Sequence, residues 1–266
     1  MLFRWCALIV VLVTPLSRGA APEPKKLTAA EMAKAGKIDA LTVPTPGELM
    51  AALNKIAKPN WQERYRQPIP TAFTSRPQIA LNLGGLIADG YLAVEATDSQ
   101  QVKNIGKDIV SLAKTLGVSE NVLRRGKSIT DFSENNDWSA LKEELEATQN
   151  EVKLAMEEQH DDALVTLVTL GGWVRGTEVV SGWIVDNYSP AAAKLLRQPA
   201  VVGFLHAKME TLPEKMRAEG IVKGVEKKLV EIEQQVSFPR EQAPTRDDVK
   251  KLKAAASEIM TDLSKK

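Results

Sequence analysis

Leu164-Val-Thr-Leu-Val-Thr-Leu-Gly171-Gly172-Trp173-Val-Arg175-Gly176-Thr-Glu178-Val-Val-Ser-Gly182-Trp183-Ile184 is apolar on nearly every side, interrupted by one arginine and one glutamate. A helix with that pattern has no wet face and belongs at the centre of a helical assembly. A second stretch, Ile79 to Val94, has the same character. Its Leu83-Gly84-Gly85-Leu86-Ile87 echoes Leu170-Gly171-Gly172-Trp173-Val174 and hints at an internal duplication, although likeness outside those five positions is slight. Glycine inside a helix costs up to ~1 kcal/mol against alanine. Glycine pairs in two buried helices therefore predict a compensating close approach, with the helices crossing near Gly84-Gly85 and Gly171-Gly172, and Gly176 adding a second small position. An antiparallel meeting there points Asp89 away from Arg175, whereas a parallel or steeply crossed one brings the two together.

Four further segments alternate apolar residues at three and four: Val102 to Leu116, Trp138 to Met156, Val222 to Val236 and Val249 to Leu263. Each puts one stripe on a helix and leaves the other face charged, as the outer helices of a bundle require. Their ends carry matching signals, with Asp98, Asp137 and Thr245 as N-caps and Gly117 as a stop. No stretch shows sustained period-two alternation, so a β-rich reading fails. The expected fold is all-α: a helical bundle with two buried glycine-containing central helices ringed by amphipathic ones. It spans 45–266 as a single domain, within which 221–266 is readable as a semi-independent helical hairpin.

The chain begins Met1-Leu-Phe-Arg4-Trp5, followed by an apolar run from Cys6 to Val13, then Pro15 and the small residues Ser17 to Ala21. Positive start, short apolar middle and small-residue end are the order of a secretory signal peptide over 1–21, cleaved near Gly19 to Ala21. The run is about half the ~20 residues that a spanning helix needs. The expected location is secreted or periplasmic, and the chain is not expected to be transmembrane after cleavage. Residues 22–44 read as a linker with one short helix opened by Thr28-Ala-Ala-Glu31. Thr45-Pro46-Gly47-Glu48 opens the domain with a capping box and a proline at the first helical position.

Cys6 is the only cysteine, so cleavage leaves no thiol for a disulfide, a metal or a nucleophile. The 35 basic and 34 acidic residues become 33 and 34 without Arg4 and Arg18. That balance gives no long-range attraction to nucleic acid, which is excluded as a partner.

Motifs of known chemistry fail one by one. Glu157-x-x-His160 has the spacing of a di-iron bundle, but a second copy is missing, and the only other histidine, His206, follows Gly203 at the matching position. Asp131 to Asp137 alternates oxygen side chains as calcium loops do, with Asn136 where glycine is wanted and Lys142 where a bidentate glutamate is wanted. Gly126-Lys127-Ser128 lacks both the leading glycine and the preceding strand of a phosphate loop. No metal site and no cofactor are expected.

Two features remain as candidate sites. Asp89, Arg175 and Glu178 stand inside the apolar central helices, with Asn82, where an unpaired charge costs several kcal/mol. They either pair with one another and fix helix register or line a wet pocket. The second feature is the stretch Pro59 to Pro77, with four prolines and Trp61, Arg64, Tyr65, Arg66, Phe73 and Arg76. Prolines at that density keep a backbone extended, and the stretch reads as a strap laid across the helices. Its aromatics either fill gaps in the bundle or, through Trp61, Tyr65 and Arg64, touch a ligand. An exposed row of Trp61, Tyr65 and Phe73 would instead suit a peripheral anchor.

The resulting expectation is an exported, non-catalytic module that binds an envelope component, a partner protein or a small molecule. The alternative is a carboxylate-based enzyme acting through Asp89 and Glu178.

Overall fold

A computed structural model describes residues 43–266, so the expected signal peptide and the linker helix from Thr28 lie outside the described residues. Among the described residues, eleven α-helices and one 3-10 helix follow in the order α1 (Pro46–Asn54), the 3-10 helix (Trp61–Arg64), α2 (Arg76–Glu95), α3 (Ser99–Leu116) and α4 (Ser119–Glu134), then onward. The second half runs α5 (Trp138–Glu158), α6 (Asp162–Asp186), α7 (Pro190–Lys194), α8 (Pro199–Glu210), the single turn α9 (Glu214–Arg217), α10 (Gly220–Val236) and α11 (Arg246–Leu263). Among the described residues there is no strand, and the architecture is an all-α bundle.

The caps explain the boundaries. Thr45 and Glu48 form a reciprocal capping box, with Thr45 N–H donating to Glu48 Oε2 at 2.7 Å and Glu48 N–H to Thr45 Oγ1 at 3.1 Å. Asp98 accepts from Gln101 N–H at 2.9 Å to open α3, which Gly117 ends at φ +82, a left-handed position natural to glycine. Asp137 and Thr245 open α5 and α11 in the same way. The carbonyls that end α11 are taken by side chains of α2. Asn82 Nδ2 donates to Leu263 O at 2.7 Å, and Gln78 Nε2 to Leu263 O at 3.0 Å and Lys265 O at 2.7 Å. Asn82 is thus a capping residue, remote in role from the other buried polar groups.

The two central helices, α2 and α6, pack more extensively on each other than any other pair. A Cβ on Gly84 would fall inside the Val168 carbonyl oxygen, and one on Gly171 would fall inside the carbonyl oxygen of Leu81. The hydrogen standing in each Cβ position therefore points at a carbonyl across the crossing, which gives reciprocal Cα–H···O contacts. Gly172 is looser, its Cβ position lying 3.3 Å from Gly84 O. Gly85 departs from expectation, because it turns away from α6 and faces Met260 and the guanidinium of Arg66. Gly176 lets α1 lie against α6, its Cβ position 3.3 Å from Pro46 Cα. By length and composition α6 could cross a membrane, yet 72% of its apolar window is covered by the rest of the chain.

Around this pair, α3 lies on α2, the α4–α5 hairpin lies on α3, and α11 lies on α6 beside α10. Helix α4 carries too few apolar residues to show a stripe: Val122 is buried, and Ile129 and Phe132 are half-buried. An apolar void of about 50 Å³ remains between α2, α3, α4 and α5, with Gly90 and Gly106 in its wall. Nothing lies within 4 Å of a Cβ on Gly106, and only an Ile105 methyl at 3.9 Å would meet one on Gly90. Gly90→Ala and Gly106→Ala should therefore each stabilise the fold by up to ~1 kcal/mol, through helix propensity and the added methyl. Urea midpoints check this, and a loss of stability in both would show that the void is not there.

Candidate functional site

Just beyond the glycine crossing, the two central helices bring opposite charges together. Arg175 Nε donates to Asp89 Oδ1 at 2.7 Å, so the crossing is of the kind that joins them. Its Nη1 reaches Glu178 Oε2 at 2.8 Å, and its Nη2 reaches the Arg64 carbonyl at 2.9 Å. Arg66 grips the other oxygen of Asp89, Oδ2, through Nε at 2.8 Å and Nη2 at 2.7 Å. Ser257 of α11 donates to Glu178 Oε1 at 2.8 Å. Charges thus alternate from Arg66 through Asp89 and Arg175 to Glu178, and both oxygens of each carboxylate are engaged. Burial works against the charge on Arg175, whose side chain is 4% exposed, but Asp89 and Glu178 more than offset it and hold its pKa above the ordinary arginine value.

The network also pins the strap. Besides the Arg64 carbonyl and the Arg66 guanidinium, Arg64 Nη1 pairs with Asp186 at 2.7 Å, and the Tyr65 hydroxyl donates to Asp98 Oδ2 at 3.4 Å. Burial, then the Asp98 carboxylate, push the Tyr65 phenol well above its usual range. Trp61 is buried, with its indole N–H on Asn54 Oδ1 at 3.2 Å, and so fills the core. Phe73 is half-buried against the same core, which leaves no exposed aromatic row for a surface anchor.

Between the strap at Tyr65 to Ile69, α2 at Leu86 and Asp89, and α3 at Gln101, Asn104, Ile105 and Asp108 lies a cleft of about 180 Å³ with a mixed polar and apolar lining. It brings together two of the residues read from the sequence, Tyr65 and Asp89. Arg175, Glu178 and Arg64 stand behind it as supports, and Trp61 lies apart. Arg66, Gln67, Asn104 and Asp108 join the lining without having been anticipated as site residues. A usable signal existed, since Gln101, Asn104 and Asp108 run at three and four along α3 as a polar line beside the apolar stripe. Asp108 has no hydrogen-bond or ion-pair partner among the described residues, and burial raises its carboxyl above the usual aspartate value. Nη1 of Arg66, closed off from solvent, donates to nothing among the described residues.

The other motifs resolve as local structure. His160 occupies a left-handed turn position at φ +57 after α5, and Asp131 to Glu134 form the last turn of α4. Gly126-Lys127-Ser128 lies in the middle of α4. Among the described residues no three histidine, cysteine, aspartate or glutamate side chains gather as metal ligands do. Set against protein-family models, curated proteins and solved structures, the chain matches none of them.

Proposed function

We propose that this protein is an exported, non-catalytic helical module that binds a small polar molecule in the cleft beneath the strap. The observation that carries the reading is the contrast between the cleft and its surroundings. Behind it Arg66, Asp89, Arg175 and Glu178 form a chain of alternating opposite charges, whereas Asp108 lines the cleft with no partner among the described residues. A charged group without a protein partner on a concave site held by rigid elements is a feature that ligand recognition uses. Export is supported by the charged, apolar and small-residue order of the first 21 positions. Against an enzyme acting through Asp89 and Glu178 stands the engagement of both oxygens of each, which leaves neither free to exchange a proton with a substrate.

A thermal-shift panel of amino acids, polyamines, sugars and dicarboxylates tests this, because a ligand that prefers the native state raises the melting temperature. At least one class should raise it in the wild type and not in Asn104→Trp, which places an indole in the cleft mouth. A panel without effect, or an effect that Asn104→Trp retains, contradicts a binding role for this cleft.

A further inference from the structure

We infer that the cleft takes the primary-amine end of a small organic cation or zwitterion, with Asp108 as its counter-ion; this rests on the binding role proposed above. The charges set the sign of the ligand. Arg66 is bound to Asp89 through two nitrogens, so the two cancel, and Asp108 is left as the uncompensated charge in the lining. A carboxylate partly withdrawn from water and without a partner among the described residues favours an ammonium that can donate to it and restore what hydration supplied. An anion would meet Asp108 as a like charge.

Size and surroundings narrow the class further. A cavity of ~150 Å³ admits benzene, so 180 Å³ open to solvent suits a molecule of about six to twelve heavy atoms. Leu86 and Ile105 offer apolar surface for a short methylene chain, and the Gln67 and Asn104 amides offer neutral hydrogen bonds. The amide N–H groups of Gln67 and Asn104 would serve an acceptor at the ligand's other end. Amino acids, diamines and amino sugars share the required amine and differ in that second group.

Isothermal titration with putrescine, ornithine and glucosamine separates these sources, with succinate and glucose as probes that lack the amine. At least one amine should bind the wild type, and Asp108→Asn should weaken it by roughly tenfold or more, the effect of losing one charge-assisted hydrogen bond. Asp108→Glu should recover part of the affinity, and ornithine binding more tightly than putrescine would assign the acceptor end to the Gln67 and Asn104 amides. Equal affinity in Asp108→Asn overturns the inference. Binding of succinate or glucose that Asn104→Trp removes, with no amine bound, also overturns it while leaving the cleft's binding role intact. If none of the five binds, the amine assignment falls, and the broader panel of the thermal-shift experiment decides the binding role separately.

Discussion

Replacing Gly171 by alanine should destabilise the fold by about 3 kcal/mol or more, and Gly84→Ala should do the same. Either Cβ would overlap a backbone carbonyl of the opposite central helix, Leu81 for one and Val168 for the other. Backbone in the middle of two packed helices cannot swing aside as the end of a long side chain can. The helices would have to separate, which opens voids along the whole contact and forfeits the reciprocal Cα–H···O contacts. Gly172 provides a graded control. Its Cβ position clears the nearest backbone atom by 3.3 Å, so alanine needs only a slight give, whereas Gly172→Leu should cost more than ~2 kcal/mol through overpacking. Urea denaturation of the four variants reads the order directly. Gly171→Ala as stable as Gly172→Ala would remove the crossing from the fold.

Arg175→Met should cost about 3–5 kcal/mol, the range for breaking a buried ion pair from one side. The substitution keeps most of the side-chain volume but removes the donors that serve Asp89, Glu178 and the Arg64 carbonyl together. Glu178 would keep only Ser257, and Asp89 only Arg66. Arg175→Lys should recover little, since a single ammonium cannot span three acceptors set out for a planar fork. The double variant Arg175→Met, Asp89→Leu should lose less than the two single changes added together, because it removes the stranded carboxylate as well. A loss below ~1 kcal/mol for Arg175→Met alone would mean that the charges are not desolvated, and that the strap is held by something other than this network.

Much of this fold is legible residue by residue. Asp98, Gly117, Asp137 and Thr245 mark helix ends by chemistry that operates over a few residues, and the all-round apolar stretches can only be central. The glycine pairs announce a close approach, but they do not tell Gly84 from Gly85. That depends on the rotation of α2 about its axis, which is set by everything packed around it. The same rotation decides whether Asp89 meets Arg175. Helix α4 escaped because its apolar residues are too sparse for a period to emerge. Asp108 escaped for a related reason. A single aspartate on an outer helix reads as a solvated charge until Tyr65 to Ile69 are laid beside it, and that placement comes from contacts distant in sequence, such as Arg66 with Asp89. Trp61 illustrates the converse, an aromatic whose neighbours suggested a ligand and whose place is the core.

Asp108 also carries an expected sign for stability. Its carboxyl is raised in the folded state by burial, so the ionised form is held less well there than in the unfolded chain. Stability is therefore lost as pH rises from the ordinary aspartate value of about 3.9 through the raised folded value, and at neutral pH the charge is a small liability, much reduced by its exposure to solvent. A group kept at some cost to stability suits a residue retained for binding. The most direct measurement is a pair of thermal melts at neutral pH, wild type against Asp108→Asn, with and without millimolar ornithine. Asp108→Asn is expected to melt slightly above the wild type without ornithine and to respond to it much less than the wild type, which rises. An Asp108→Asn protein that melts below the wild type, or that responds to ornithine equally, would contradict the assignment of Asp108 as the unpaired, ligand-facing charge of the cleft.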